Sequence, residues 1–282
     1  MKISVVMTAY NMQDYIGEAI ESVLNQTHRD LELIVVEDCS ADNTKDIIRS
    51  YIEKDDRVIM LEHPENLGAG MGRRNGINEA TGEYFITIDA DDWIDPTFLE
   101  SLAKRAEETD ADIVSGGITV ERGNGYWEKT CYGDLTTTGH DKVTKFWGEK
   151  IVFMNNKIIR TDLRNEVQYC HRRFIEDTPT IIPMLWLANQ VEYVSDTGYH
   201  YRMQNNSLTH TSSSFKYALY RALCCLDLID YFKDKDAELL DKLPIKRMLQ
   251  IQLGIIKKEN PTEETLMQYM RDWVELTKRL IL

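Results

Sequence analysis

The chain reads as an α/β protein built on a doubly wound, mostly parallel sheet with a helical extension towards its C-terminal end. Three observations predict this. Short apolar runs rich in β-branched residues alternate with helix-period segments over residues 3–115. Those runs are apolar on both of their alternating faces, the habit of strands covered by helices above and below. Beyond about residue 215 the pattern is mostly helical.

The elements follow in order. Residues 3–8 form a buried strand, and Asn11 is placed to cap a helix with Tyr15, Ile16, Ala19, Ile20, Val23 and Leu24 on its apolar face. Residues 31–36 make a second strand, followed by Ser40 or Asp42 as cap and a helix carrying Ile47, Ile48, Tyr51 and Ile52. A third strand spans 58–61, and the Gly-rich link 66–70 leads into a helix near 71–80 that Thr81-Gly82 stops. Strand 84–88 is followed by a helix opening at Pro96, with Leu99, Leu102, Ala103 and Ala106 inward, and by a short strand at 112–115. Residues 116–139 are rich in Gly, Thr and Tyr and read as extended structure and loops; 141–215 mix short helices and strands. Helices are expected at 217–232, 236–257 and 262–281.

Composition bounds the function. Lys+Arg 33 against Asp+Glu 47 gives −14, which argues against nucleic acid as partner but leaves room for a phosphorylated ligand held through a metal. Five cysteines without a C-x-x-C spacing point to a reduced, cytoplasmic protein with no structural zinc, Cys224 and Cys225 serving as small core residues. The first residues run directly into a strand and are too short for a signal peptide, and no apolar run is long enough to span a membrane.

The most informative segment is Asp89-Ala90-Asp91-Asp92, at the end of the buried strand 84–88. Three carboxylates within four residues cannot share a small space unless a cation joins them. At the carboxyl end of a central strand they suggest a divalent metal holding a phosphorylated substrate. All-oxygen ligation suits Mn2+ or Mg2+ better than zinc. Taken alone, the same residues read as an acidic turn capping the next helix. Further along, Glu37-Asp38 ends the second strand, where a carboxylate can accept the ring N–H of a uracil-like base beside main-chain groups of Thr8, Ala9 and Tyr10. Gly68, Gly70, Gly72 and Gly76 surround Arg73 and Arg74, so backbone and guanidinium can both approach a ligand. Glu176-Asp177 precedes a helix and reads either as charge complementing its dipole or as catalytic acid-base residues.

Together with Ile3-Ser-Val-Val-Met-Thr-Ala-Tyr-Asn11, Glu65-Asn-Leu-Gly68, Asn156-Lys157, Tyr199-His-Tyr-Arg202 and Ser207-Leu-Thr209, these segments resemble family 2-type inverting glycosyltransferases with the GT-A fold, of the bacterial polysaccharide-biosynthesis type. The ordered set covers about residues 2–210. The resemblance implies a nucleotide-sugar-binding half at 1–115, an acceptor-binding and catalytic half at 116–214, and a helical region at 215–282. It implies a UDP-sugar donor and a glycan or lipid-linked glycan acceptor. Asp38 would contact the base, with residues 8–10 lining its pocket. Arg73, or Arg74 given a displaced Asn, would bind the donor, as would Asp89 and Ala90, with Asp89 on the ribose or sugar. Asp91 would hold the metal, Asp177 would act as base with Glu176 beside it, and Arg202 would reach the diphosphate. His200 reads either as a further metal ligand or as a structural residue. Lys157 reads either as a phosphate or acceptor contact or as a surface lysine. The C-terminal helices read as core packing, with dimerisation or peripheral docking at the inner face of the membrane as the other assignments. Two rival functions stand beside this one: a catalytically silent nucleotide-sugar binder or scaffold, and a sugar-nucleotide pyrophosphorylase. The latter would want a basic Gly-rich loop where this chain has Ala9-Tyr10-Asn11.

Overall fold

The structure, a computed structural model, describes residues 1–121, 127–130, 137–138, 141–148, 153–167, 177–203, 214–259, 261–263, 265 and 269–281. Strands β1 (Ile3–Ala9), β2 (Leu31–Glu37), β3 (Val58–Glu62) and β4 (Tyr84–Asp89) alternate with helices α1 (Ile16–Leu24), α2 (Thr44–Ile52) and α3 (Ala69–Glu79). Then come β5 (Trp93–Ile94), α4 (Phe98–Thr109), β6 (Ile113–Glu121), β7 (Trp127–Thr130), β8 (Thr137–Thr138) and α5 (Asp141–Gly148). β9 (Lys157–Arg160), a 3-10 turn at Thr161–Glu166, α6 (Asp177–Leu187) and β10 (Gln190–Arg202) complete the sheet region. The helices α7 (Ser214–Phe232), α8 (Ala237–Lys242), α9 (Ile245–Glu259) and α10 (Met270–Ile281) follow.

The strands lie in the order β3-β2-β1-β4-β9-β6-β10-β5, with β7 beside β6 and β8 beside β10. β3, β2, β1 and β4 are mutually parallel, as expected. β9 enters antiparallel between β4 and β6, so the two halves of the chain share one sheet. The chain winds outward from β1 to β3 and then returns to β4 on the other side of β1. That reversal opens a crevice at the carboxyl ends of β1 and β4, where sheets of this kind bind ligands.

The pleat assigns each strand residue to one of two cores. Ile3, Val5, Met7, Leu33, Val35, Tyr84, Ile86 and Ile88 pack with residues of α1, α2 and α4. Val6, Ile34 and Phe85 face the opposite way, onto Ile77 of α3, α5, α6 and the helices after residue 214. By the same period of two, Thr8 and Asp89 project on the α3 side.

Several boundaries differ from the sequence reading. α1 starts at Ile16 rather than after Asn11; Asn11 has φ 54°, and its Oδ1 accepts the Ala41 N–H, tying two loops together. Asp42 takes the Thr44 N–H at the start of α2, and α4 begins at Phe98, two residues past Pro96. β6 runs on to Glu121 and pairs with β7, giving regular structure to part of the stretch read as loops. In the C-terminal part, Cys224 and Cys225 are buried within α7, as expected. Two of the basic residues there are engaged by carboxylates, Lys246 by Asp241 and Arg279 by Asp227 and Asp230. Among the described residues, no helix is long and apolar enough to cross a membrane.

Candidate active site

The site is built outward from α3. Gly68 precedes the helix at φ 87°, a left-handed conformation that disfavours residues with a side chain. One turn apart, Gly72 and Gly76 face the sheet. A Cβ on Gly72 would lie 2.9 Å from Thr8 Cγ2, and one on Gly76 would lie 2.4 Å from Val6 Cγ1. These two glycines therefore let the helix lie close on β1 and β2; the sequence reading had them serving a ligand. The close seat carries Arg73 over the carboxyl end of β4.

There Arg73, 9% exposed, spreads its guanidinium between two carboxylates. Nη2 donates to Asp89 Oδ1 at 2.6 Å and Nη1 to Asp177 Oδ1 at 3.0 Å. Asp89 ends β4 and Asp177 begins α6, so one arginine joins residues 88 positions apart. Asn155 Nδ2 donates to the other oxygen, Asp89 Oδ2, at 2.8 Å and also to the Tyr199 hydroxyl. That hydroxyl donates to Asp92 Oδ2 at 2.5 Å and accepts the Asp89 N–H, while Arg202 N–H donates to Asp92 Oδ1. Asp92 thus fixes the turn.

The electrostatics follow from crowding. Burial, then the Asp89 charge, lifts the Asp91 carboxyl to about 6. Burial together with Asp89 and Asp91 drives Asp92 well above the carboxylate range. The surrounding protein also raises Asp177, against the pull of Arg73. Its side chain is nevertheless 27% exposed, so solvent or a bound hydroxyl can reach it. Burial keeps the Tyr199 phenol far above its ordinary value and so a dependable donor. The net result is a pocket with more negative charge than Arg73 neutralises.

Several predicted residues stand elsewhere or do other work. Asp38, expected at the base, is buried, and its carboxylate accepts the Leu67 and Gly68 N–H groups at 2.8 and 2.7 Å and pairs with His63 Nδ1 at 2.7 Å. With both oxygens engaged, it shapes the 63–68 link that leads into α3. Arg202, expected at the diphosphate, donates to the Asp91 carbonyl and to Glu18 and lies over the Trp93 ring, because β10 delivers it alongside β5. Its guanidinium braces the acidic turn. His200, one of whose readings was a metal ligand, has Nε2 2.8 Å from Asp95 Oδ1 and its ring stacked on Trp93. Among the described residues no group of three or more His, Cys, Asp or Glu could hold a metal ion, so Asp91 and His200 do not form a protein-only cage. Trp93 packs against the His200 ring and the Arg202 guanidinium. Ala90 is buried in the core, which leaves its backbone as the part that can meet a ligand. In the 8–10 segment the Ala9 carbonyl accepts the Asp38 N–H, and Tyr10 is 44% exposed at the mouth of the crevice. Of the alternatives Arg73 and Arg74, Arg73 reaches Asp89 and Asp177. Glu176 lies outside the described residues.

Sequence reasoning passed over Asn155, Tyr199 and His63. Tyr199 sits in the run that drew attention to His200, and strand alternation alone would have placed the two on opposite faces. His63 is buried between Asp38 and Asn75, its Nε2 2.9 Å from Asn75 Nδ2, and nothing in its neighbourhood along the chain signals this.

Residues 4–170 match Glycosyl transferase family 2. The glycosyltransferase GlyG of Streptococcus pneumoniae serotype 4 is 30% identical over 244 residues, 83% of this chain and 79% of its own length. YibD of Escherichia coli K12, an uncharacterized glycosyltransferase, is 40% identical over 221 residues, 74% of this chain and 63% of its own. In fold, the chain matches Staphylococcus aureus TarS 1–349 in complex with UDP-GlcNAc with a TM-score of 0.70 at 22% identity, over 98% of this chain and 79% of that one.

Proposed function

The chain belongs to glycosyl transferase family 2, with the GT-A fold, and from that premise we propose an inverting, metal-dependent transfer of a sugar from a UDP-sugar to a hydroxyl of a glycan or lipid-linked glycan acceptor in cell-surface polysaccharide assembly. The observation that carries the reading is the Arg73 bridge, which fixes the carboxylate at the end of β4 against the one at the start of α6. It sets a donor-side group and a proton-accepting group at a constant separation, as a direct displacement requires.

In this reading Asp177 takes the proton from the acceptor hydroxyl as that oxygen bonds to the anomeric carbon. The bond from that carbon to the diphosphate breaks on the opposite side, so a single displacement inverts the centre. One protein base suffices, unlike the paired carboxylates of inverting glycosidases, because the diphosphate leaves without a protein acid. Asp177 works in its ionised form, which Arg73 favours and burial opposes. Asp89, oriented by Arg73 and Asn155, faces the ribose or sugar, and the backbone of residues 8–10 with Tyr10 lines the base pocket.

The residues present fit Mn2+ or Mg2+. The carboxylates at Asp89 and Asp91 are hard oxygen donors, and the elevated Asp91 carboxyl marks a place where added positive charge is favourable. Such ions are commonly held by one or two carboxylates, with substrate phosphates completing the shell, so no protein-only cage is needed. Asp91 would hold the ion, which when bound neutralises charge growing on the leaving diphosphate. The UDP donor is supported by the fold likeness to the UDP-GlcNAc-bound TarS, and a cytoplasmic location, peripheral at the inner membrane face, fits the lipid-linked acceptor.

Thermal melting with UDP, TDP, GDP and CDP, each with and without Mn2+, tests the donor site. A ligand at a hundred times its Kd adds about 2.7 kcal/mol. At about 2–4 °C per kcal/mol, the expected Tm shift is roughly 5–10 °C. The shift should appear with UDP and Mn2+ and vanish in Asp91→Ala. No shift with any nucleotide would overturn the donor site and favour a silent scaffold.

A further inference from the structure

One buried ionisable side chain takes no part in the transfer described above. Lys157, at the start of β9, is 0% exposed. Its Nζ donates to Asn156 Oδ1 at 2.6 Å and to the Phe153 carbonyl at 3.1 Å, lies 3.5 Å from the Asn155 carbonyl, and rests 4.7 Å from the Phe153 ring centroid. A leucine or methionine would fill the same volume without the cost of desolvating an amine. What the amine gains is control of the turn it closes. Within that turn the Asn155 amide donates to Asp89 and to Tyr199. Asn156 adopts φ 61° and anchors the turn to the Gly116 carbonyl on β6.

We propose that Lys157 is a positioning residue for glycosyl transfer, its buried amine closing the 153–156 turn that hands a hydrogen bond to Asp89, the carboxylate that Arg73 ties to Asp177. The inference rests on Asp177 being the base. The turn reaches Asp89, one of the two carboxylates that Arg73 bridges, and it does so from β9, on the far side of β4 from β1. Asp89 is thereby held from two directions, by a guanidinium and by a turn, and Lys157 locks the second. The amine also faces Asp177 electrostatically. Burial holds it down to about 7, Asp177 pulls it upward, and in return its charge favours the Asp177 carboxylate. Among the described residues, Arg73 favours the ionisation of Asp177 and Asp89 opposes it.

The test compares Lys157→Met, Lys157→Gln and Asp177→Asn with wild type in kcat, donor KM, Tm and the pH dependence of kcat. Misplacing a reacting group by an ångström costs on the order of 100-fold, so Lys157→Met is expected to lose about 10- to 100-fold in kcat with donor KM within about threefold. Lys157→Gln, which keeps hydrogen-bond donors and drops the charge, should recover part of kcat. In both variants the acid limb should move to higher pH, because the Asp177 carboxylate loses a stabilising cation. Wild-type kcat and an unmoved acid limb in the Lys157 variants, with Asp177→Asn inactive, would overturn this inference and leave the base assignment standing. Full turnover in Asp177→Asn would overturn both. Should Lys157→Met fail to fold, the Lys157→Gln pH profile decides: an unmoved limb with only a lowered Tm assigns Lys157 to stability and rejects the positioning role.

Discussion

Replacing Arg73 by lysine should cripple transfer while sparing the fold. The guanidinium makes two charge-assisted bonds that diverge, 2.6 Å to Asp89 and 3.0 Å to Asp177. A lysine ammonium keeps the charge but not the planar fork, so it can satisfy one carboxylate at a time. Each hydrogen bond to a charged group contributes about 1.5–3 kcal/mol. Losing one of the two therefore predicts a fall of about 10- to 150-fold in kcat/KM. Arg73→Met removes the charge as well. Burial raises the Asp177 carboxyl and Arg73 lowers it, so deleting Arg73 lifts it further and reduces the ionised fraction at any given pH. The acid limb of the kcat/KM profile should thus move to higher pH in Arg73→Met and move less in Arg73→Lys. The assay is release of the nucleoside diphosphate across pH 5 to 9 (roughly the range in which elevated carboxyls titrate), with Tm measured in parallel. An Arg73→Lys enzyme within about threefold of wild type in kcat/KM would refute the reasoning, because the predicted loss begins at about tenfold.

Two stability predictions use residues outside the reacting groups. Gly76→Ala would set a Cβ 2.4 Å from Val6 Cγ1 and 3.0 Å from Val36 Cγ2, both fully buried. Overpacking of this kind costs about 1–3 kcal/mol, and lifting α3 should also weaken nucleotide binding. Gly254→Ala, with nothing within 4 Å in α9, should be neutral or stabilising by up to about 1 kcal/mol; equal Tm losses in the two variants would reject the close-seat argument. Glu32 is 6% exposed; burial raises its carboxyl, but bonds from Lys2, Ser4 and Thr81 outweigh this and hold it near 2, below the ordinary 4.5. A carboxyl lowered on folding contributes stability above its unfolded value that is lost as pH falls through the folded one. The drop from 4.5 to about 2 corresponds to about 3 kcal/mol, so denaturant midpoints should fall from about pH 4.5 towards 2 in wild type and fall less steeply in Glu32→Gln. Identical slopes would reject it.

The sequence by itself determined the layered α/β architecture, because hydrophobic periodicity is a local property that each segment carries alone. The alternation of Val5 and Met7 against Val6, or Tyr84 and Ile86 against Phe85, states which side of the sheet each residue takes before any partner is known. The Asp89-Ala90-Asp91-Asp92 segment was legible for a similar reason: three carboxylates crowded by covalent neighbourhood demand compensation wherever they fold. The partners were not legible, since they come from segments far apart in the chain. Only the tertiary structure set Arg73 between Asp89 and Asp177, turned Asp38 towards His63 and the 67–68 backbone, and gave Arg202 and His200 to the bracing of β5. It also buried Lys157, which the sequence left open as a ligand contact or a surface residue. A side chain's type fixes what it can donate or accept. Which groups come within reach depends on how β9, β10 and α6 close around β4, and that is set by packing across the whole sheet.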